Sequence, residues 1–259
     1  MLNKLTSVNN PKVKAVVRLR QKRAKDSFLT IVEGVKEVAM AIRAGVSFSE
    51  VYVCEKNLKD RQLLKKIKNP CFVSEEVLQK MSYGQRNEGI LAVCEMRPRS
   101  LPENIKTNGL YVILEKIEKP GNLGAMLRTC DAAGVDGVIV CDPKTWIYSP
   151  NTVRSSLGTV FTVNVYAADQ EEAAAYCRRH GIKVYAASPH GRERYTDCNL
   201  KQATAFVLGS EHDGLSDYWM NNADQQILIP MLGKADSLNV AHSMAVLLYE
   251  TLRQRQFNR

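Results

Sequence analysis

From Tyr111 onward short apolar runs alternate with amphipathic stretches, and that rhythm restricts the second half of the chain more than any other feature. Residues 111–114, 138–141, 161–165, 184–187, 205–208 and 227–230 read as strands, and 124–133, 171–180 and 239–253 as helices. Strand and helix in turn imply parallel pairing, with helices on both faces of one sheet. In such sheets ligands bind outside the carboxyl ends of the strands. Three polar constellations fall at those ends: Asn122-Leu-Gly124-Ala-Met-Leu-Arg128, then Gly209-Ser210-Glu211 with Gly214-Leu215, then Ser237-Leu238-Asn239. Three such corners in one domain point to one site assembled from three places.

Each corner also has a plain local explanation. Pro120-Gly121 can end the preceding strand, with Asn122 capping the next helix and Arg128 on its surface. Six residues on a continuous helix turn through about 240°, so Asn122 and Arg128 share a direction only if Asn122 stands in the loop. Gly209 and Gly214 let a backbone approach a ligand closely, or simply make a turn. Asp236, Ser237 and Asn239 are candidate N-caps. A helix N-terminus also favours a carboxylate or phosphate. Gly121, Gly124 and Gly134 do not fit the dinucleotide fingerprint, and no phosphate loop is present.

Before Gly109 the pattern is smaller and more basic. Residues 30–33, 51–54 and 90–94 read as strands, and 35–44 as a helix with Val35, Val38, Ala39 and Ile42 on one face. The prolines and low apolar content of 97–108 mark a linker. The expected divisions are a basic N-terminal extension at 1–25, a small α/β domain at 26–96, the linker, and a larger domain at 109–259. The formal net charge is +9. Residues 1–108 carry 21 Lys and Arg against 11 Asp and Glu, whereas 109–259 carry 15 against 16. Lys12, Lys14, Arg18, Arg20, Lys22, Arg23 and Lys25 follow one another with no acidic residue between them, which suits a polyanion grip better than a merely solvated face. No apolar run suits a membrane span or a secretory signal, so a cytoplasmic protein is expected. Seven scattered cysteines and four histidines lack metal-ligand spacing, and no metal is expected.

In this order the three corners resemble the motifs of the SpoU (TrmH-type) RNA 2′-O-ribose methyltransferases of the SPOUT superfamily. The likeness covers essentially all of 110–255. The segment Ser149-Pro-Asn-Thr-Val-Arg154-Ser-Ser-Leu-Gly158 resembles a further family motif. Phe28, Glu33 and Gly34, with the helix after them, resemble the small substrate-binding domain of rRNA-directed members.

The resemblance implies a C-terminal parallel-sheet α/β domain tied in a trefoil knot, preceded by a small α/β substrate-binding domain. It implies S-adenosylmethionine held at Leu208, Gly209, Ile229, Met231 and Leu238, largely through backbone atoms. It also implies a homodimer with its active site at the subunit interface and Arg154 as a candidate for presentation from the second subunit. The reaction would methylate a ribose 2′-hydroxyl, most readily in ribosomal RNA. Transfer RNA is the alternative substrate, and a non-catalytic RNA-binding or ribosome-assembly factor the alternative class. Arg128 would be the central catalytic residue, oriented with the ribose by Asn122, Glu211, Ser237 and Asn239. An arginine resists deprotonation, so gripping the substrate phosphate and stabilising the developing alkoxide suits it better than acting as a literal base. Arg154, Lys12, Lys14, Arg18, Arg20 and Arg23 are the RNA-binding candidates. His212 and His242 depart from a typical member and read as surface or packed side chains, with proton traffic the alternative.

Overall fold

The computed structural model describes residues 4–21, 27–83 and 87–258. The chain divides into two compact units, Met1–Arg97 with Tyr148–Thr162, and Pro98–Ile147 with Val163–Arg259. Lys22, Arg23 and Lys25 lie outside the described residues.

The first unit runs α1 (Pro11–Gln21), β1 (Leu29–Glu33), α2 (Val35–Arg43), β2 (Phe48–Val53), α3 (Arg61–Leu64), β3 (Cys71–Phe72), α4 (Glu75–Met81) and β4 (Ile90–Glu95). The sheet order is β1-β4-β2-β3, with β4 antiparallel to both neighbours and β3 parallel to β2. β4 is buried from Ile90 to Cys94, as a strand covered on both faces must be. α1 buries Val13 and Val16, one turn apart, in a core that includes Tyr52, Val77, Leu78 and Met81. α2 buries Glu37, Val38 and Ala41, a face turned from the expected Val35–Ile42 stripe. The reason is a later segment, the 3-10 turn Thr159–Phe161, which packs against α2.

The second unit begins with β5 (Leu110–Glu115), α5 (Pro120–Ala133) and β6 (Gly137–Cys141). The chain then lends α6 (Pro150–Ser155) to the first unit before β7 (Val165–Ala168), α7 (Gln170–Arg179), β8 (Lys183–Ala187) and β9 (Glu193–Arg194). It closes with β10 (Thr204–Leu208), α8 (Asp217–Asn222), β11 (Gln225–Leu228) and α9 (Val240–Gln254). All pairings in the seven-stranded sheet are parallel, in the order β7-β6-β5-β10-β8-β11-β9. β5 and β10 sit near its middle and are buried throughout. Each buried Leu, Ile or Val contributes about 1.5–3 kcal/mol on leaving water, so this pair anchors the unit. Leu208 is in register with Leu114, and Val207 with Ala186, which brings the carboxyl ends of β5, β10 and β8 level.

Two expected elements are displaced. α5 starts at Pro120 rather than at Gly124, because a proline at the first helical position needs no N–H partner and already has a helical φ. Residues 161–165 are not one strand: Phe161 closes the 3-10 turn buried in the first unit, and the strand begins at Val165. The proline-rich stretch is also more engaged than a free linker. Arg99 O accepts Ala167 N–H at 2.9 Å, and Leu101 and Ile105 pack on the second unit's core.

Gly158 shows why the segment 149–158 ends as it does. Its φ is +83°, and a Cβ there would lie 2.8 Å from Met40 Cβ and 3.0 Å from Glu37 Cα. Gly158→Ala should therefore destabilise the first unit by roughly 1–3 kcal/mol, read as a lower midpoint in thermal or denaturant unfolding. An unchanged midpoint would show that α2 gives way freely.

Candidate active site

The three corners meet at the carboxyl edge of the second sheet and are joined by hydrogen bonds. Asn239 Nδ2 donates to Asn122 Oδ1 at 3.3 Å, and Asn122 Nδ2 donates to Glu211 Oε1 at 2.6 Å. Glu211 Oε2 accepts the Glu118 N–H at 3.3 Å. At the other end Asn239 Oδ1 accepts the Ala241 N–H at 2.9 Å and caps α9. Asn239 thus caps a helix and takes part in the site with a single side chain. Asn122 does not cap: Lys119 occupies that position, and Asn122 stands inside the first turn of α5 with its amide free to bridge.

A carboxylate can only accept, so Glu211 fixes which way the Asn122 amide faces, and Asn122 then fixes Asn239. The Glu211 carboxyl is held below its ordinary value of 4.5. Burial, the largest single influence, pushes it up, but the Asn122 amide and the backbone N–H groups of Glu211, Glu118 and Lys119 together outweigh that penalty. The start of α5 supplies the same preference for negative charge.

The loop carrying Glu211 is itself stiff. Ser210 and Gly214 exchange backbone hydrogen bonds at 3.0 and 3.2 Å, and Ser210 Oγ accepts the Asp213 N–H at 3.0 Å. A Cβ on Gly209 would fall 2.0 Å from Gly214 O, so only glycine lets the loop close on itself. Its far end is tied down by Glu115, a fully buried acid at the end of β5 whose Oε2 accepts the Ser216 N–H at 2.9 Å. Lys116, at a φ of +51°, brings its Nζ to 3.8 Å from Glu115 Oε1. Sequence reasoning missed this anchor, although an acid ending the apolar run Leu110-Tyr-Val-Ile-Leu-Glu115 was a visible signal.

Around the relay lies a cavity of about 600 Å³, lined by second-unit residues alone. Asn122, Glu211, Ser237 and Asn239 border it, as do Leu208, Gly209, Ile229, Met231 and Leu238. Ala187, Ser188, Pro189 and His190, at the end of β8 and beyond it, form a fourth side that sequence reasoning did not single out. The lining is mixed: aliphatic side chains suit a heterocycle, and the loop backbone and polar groups suit a ribose and an amino acid moiety. His212 is exposed on the cavity rim, 3.9 Å from Asp213, and His242 is exposed on α9.

The structure does not bring Arg128 to this cavity. With Asn122 inside α5, Arg128 lies about 240° around the same helix, exposed and without a hydrogen bond or ion pair among the described residues. Arg154 belongs to the first unit, where Nη1 donates to Tyr83 O at 2.9 Å and Tyr83 N–H donates to Glu33 Oε2 at 2.7 Å. Burial raises the Glu33 carboxyl above its ordinary value, against the opposing pull of the Tyr83 N–H and the Arg154 and Arg20 charges. Arg20 is partly engaged within the unit, because its Nη1 donates to the carbonyls of Ser82 and Lys80 at the end of α4. Lys12 pairs loosely with Glu50 at 3.7 Å, while Lys14 and Arg18 stay exposed and unpaired among the described residues.

A parallel α/β sheet with a polar relay and a cavity at its carboxyl edge defines a small-molecule-binding enzyme domain. Comparison with known proteins identifies which one. The chain belongs to the SpoU rRNA Methylase family, whose model matches residues 109–249, more than half of its length. Residues 10–92 match the MRM3-like substrate binding domain. The 23S rRNA (guanosine(2553)-2′-O)-methyltransferase RlmP of Bacillus subtilis is 27% identical over 96% of this chain and 98% of its own. A crystal structure of an RNA 2′-O ribose methyltransferase superposes with a TM-score of 0.86 at 37% identity, covering 98% of this chain and 100% of that one. The SpoU methyltransferase AviRb from Streptomyces viridochromogenes, in complex with the cofactor AdoMet, gives a TM-score of 0.86 at 27% identity over 96% and 100%.

The relay is open to titration. Because Glu211 is depressed in the folded protein, its stabilising contribution is complete above pH 4.5 and is lost as the pH falls through the lowered folded value. Asn122→Leu should raise the Glu211 carboxyl pKa, followed by carbon NMR of labelled glutamate, whereas Asn239→Ala should move it less. Identical titrations in wild type and Asn122→Leu would remove Asn122 as the dominant donor.

Proposed function

We propose that the protein is an S-adenosylmethionine-dependent methyltransferase that modifies a ribose 2′-hydroxyl in ribosomal RNA. The observation that carries this reading is the relay Asn239–Asn122–Glu211, which draws all three family motifs to the rim of one cavity. The residues present fit the cofactor. Gly209 lets its loop close on Gly214 and borders the cavity with backbone, and Leu208, Ile229, Met231 and Leu238 supply the apolar lining. When bound there, S-adenosylmethionine supplies an electrophilic methyl group.

The chain's own residues do the remaining work. Glu211, ionised at neutral pH, locks the Asn122 and Asn239 amides and so presents a fixed polar edge to the ribose. Ser237 adds a hydroxyl on the same side. A ribose hydroxyl is a weak nucleophile and needs its developing negative charge stabilised. Arg128 is assigned that task, with its planar fork on the substrate phosphate beside the reacting hydroxyl. Its exposure on α5, away from its own chain's cavity wall, fits a site completed at the face of a homodimer. Leu232, almost fully exposed, and half-exposed Tyr249 on α9 provide apolar surface for that contact.

The trefoil knot belongs to this reading. It is supported by β10 inserting between β5 and β8, strands that both precede it, and by α9 packing on α5. Among the described residues no helix is long and apolar enough to cross a membrane, and none of their His, Cys, Asp and Glu clusters could hold a metal. A cytoplasmic site of action beside ribosomal RNA is part of the proposal.

Arg128→Ala should lower methyl transfer to an rRNA fragment by about 10²–10³-fold or more while calorimetry shows cofactor affinity within about twofold of wild type. Arg128→Lys should fail comparably, since an ammonium cannot reproduce the two-pronged contact. Near-normal turnover in either variant would take the chemistry away from Arg128.

A further inference from the structure

We infer that the turn Lys59–Lys68 around α3 is the first unit's grip on the RNA phosphate backbone, an inference that rests on the methyltransferase reading. These ten residues hold Lys59, Arg61, Lys65, Lys66 and Lys68 against one acid, Asp60. All five cations are exposed, and none makes a hydrogen bond through its side chain or an ion pair among the described residues. Asp60 is already engaged, since its carboxylate caps α3 by accepting the N–H groups of Gln62 and Leu63 at 3.0 and 3.2 Å. The five positive charges therefore face solvent with little local compensation.

Packing keeps them there. Leu63 and Ile67, one turn apart, point inward and are buried to within 9% exposure. The basic side chains between and around them are thereby turned outward. The turn is held at both ends, by the Asp60 cap and by Asn69, whose φ of +49° bends the chain back into β3. A short basic turn fixed in this way presents several cations without ordering a flexible tail, which lowers the entropic cost of binding a polyanion. No large apolar or aromatic side chain in this stretch is exposed, so the surface suits backbone phosphates rather than stacked bases.

Among the described residues α1 offers fewer free cations than its sequence suggests. Arg20 serves the end of α4 and Lys12 leans on Glu50, leaving Lys14 and Arg18 as its free cations among the described residues. The turn has five.

The test measures affinity for a ribosomal RNA fragment as a function of salt, in the full-length protein. For the wild type, log affinity should fall linearly with log salt. The triple variant Lys65→Gln/Lys66→Gln/Lys68→Gln should show a slope shallower by about 2–3, at about 0.7–0.9 for each phosphate it no longer neutralises. The pair Lys14→Gln/Arg18→Gln should change the slope by less. Unfolding midpoints and S-adenosylmethionine binding, which should match wild type in both variants, separate a weakened grip from a damaged fold. A triple variant that folds and binds cofactor normally but keeps the wild-type slope would overturn the assignment, as would a larger change of slope in the α1 pair. A wild type that binds cofactor but neither binds nor methylates rRNA would instead sink the methyltransferase reading on which it rests.

Discussion

Everything at the carboxyl edge of the second sheet depends on the hydrogen bond between Asn122 and the Glu211 carboxylate. It is short, at 2.6 Å, and charge-assisted, whereas the Asn239–Asn122 bond, at 3.3 Å, joins two neutral amides. Because the carboxylate has no proton to give, its need for donors sets the Asn122 amide, and that choice travels to Asn239 and the first free N–H of α9. An amide relay has direction, so reversing one member would leave two oxygens or two NH₂ groups facing each other. The three corners are therefore three parts of a single oriented network.

Such a network needs a floor that does not move. The central strands β5 and β10 are buried throughout, and Leu114 and Leu208 lie side by side at their ends. The loops leaving these strands start from a common level, which places Glu118 within reach of Glu211 across a wide gap in sequence. Glu115 completes the arrangement from beneath. One oxygen of this buried side chain accepts the Ser216 N–H, and the Lys116 Nζ lies 3.8 Å from the other. The loop holding Glu211 is consequently pinned on both sides, by Asn122 and Glu118 at its start and by Glu115 at its end.

Much of this was legible in the residues because the sheet's logic is local. Apolar runs bounded by glycine and polar residues located the strands at 111–114, 138–141, 184–187, 205–208 and 227–230 to within a few positions. The three corners stood out because polar residues after a buried strand need a reason to be there. What escaped was decided by tertiary contact. Pro120 opens the helix rather than closing the strand, which turns Asn122 from a cap into a bridge and rotates Arg128 away from it. Arg20 looks like any other cation in its run until α4 ends beside it. Residues 161–165 have strand-like composition, yet Val160 and Phe161 are buried in the other unit, and that burial overrides local propensity. The cations of the Lys59–Lys68 turn are no different in sequence from those of the longer run Lys12–Lys25, and only the partners in the structure separate free cations from occupied ones.

Charge divides the labour between the halves. Residues 109–259 are close to neutral overall, so the cavity has little long-range pull on a polyanion, and some of the positive charge there is spent inside the fold. Arg255 donates to the carbonyls of Leu200, Asn108 and Gln202, fastening the end of α9, and Arg253 pairs with Glu250 at 2.8 Å. The excess of 21 over 11 sits in residues 1–108. On the proposed reading, one part attracts RNA through salt-sensitive, sequence-blind contacts while the Asn122 and Asn239 amides, set by Glu211, orient the ribose at short range. Neutral amides suit that second task. On the proposed reading they orient a ribose without competing for its phosphate, which is left to Arg128. A more basic cavity would bind RNA more tightly in many registers and favour none of them.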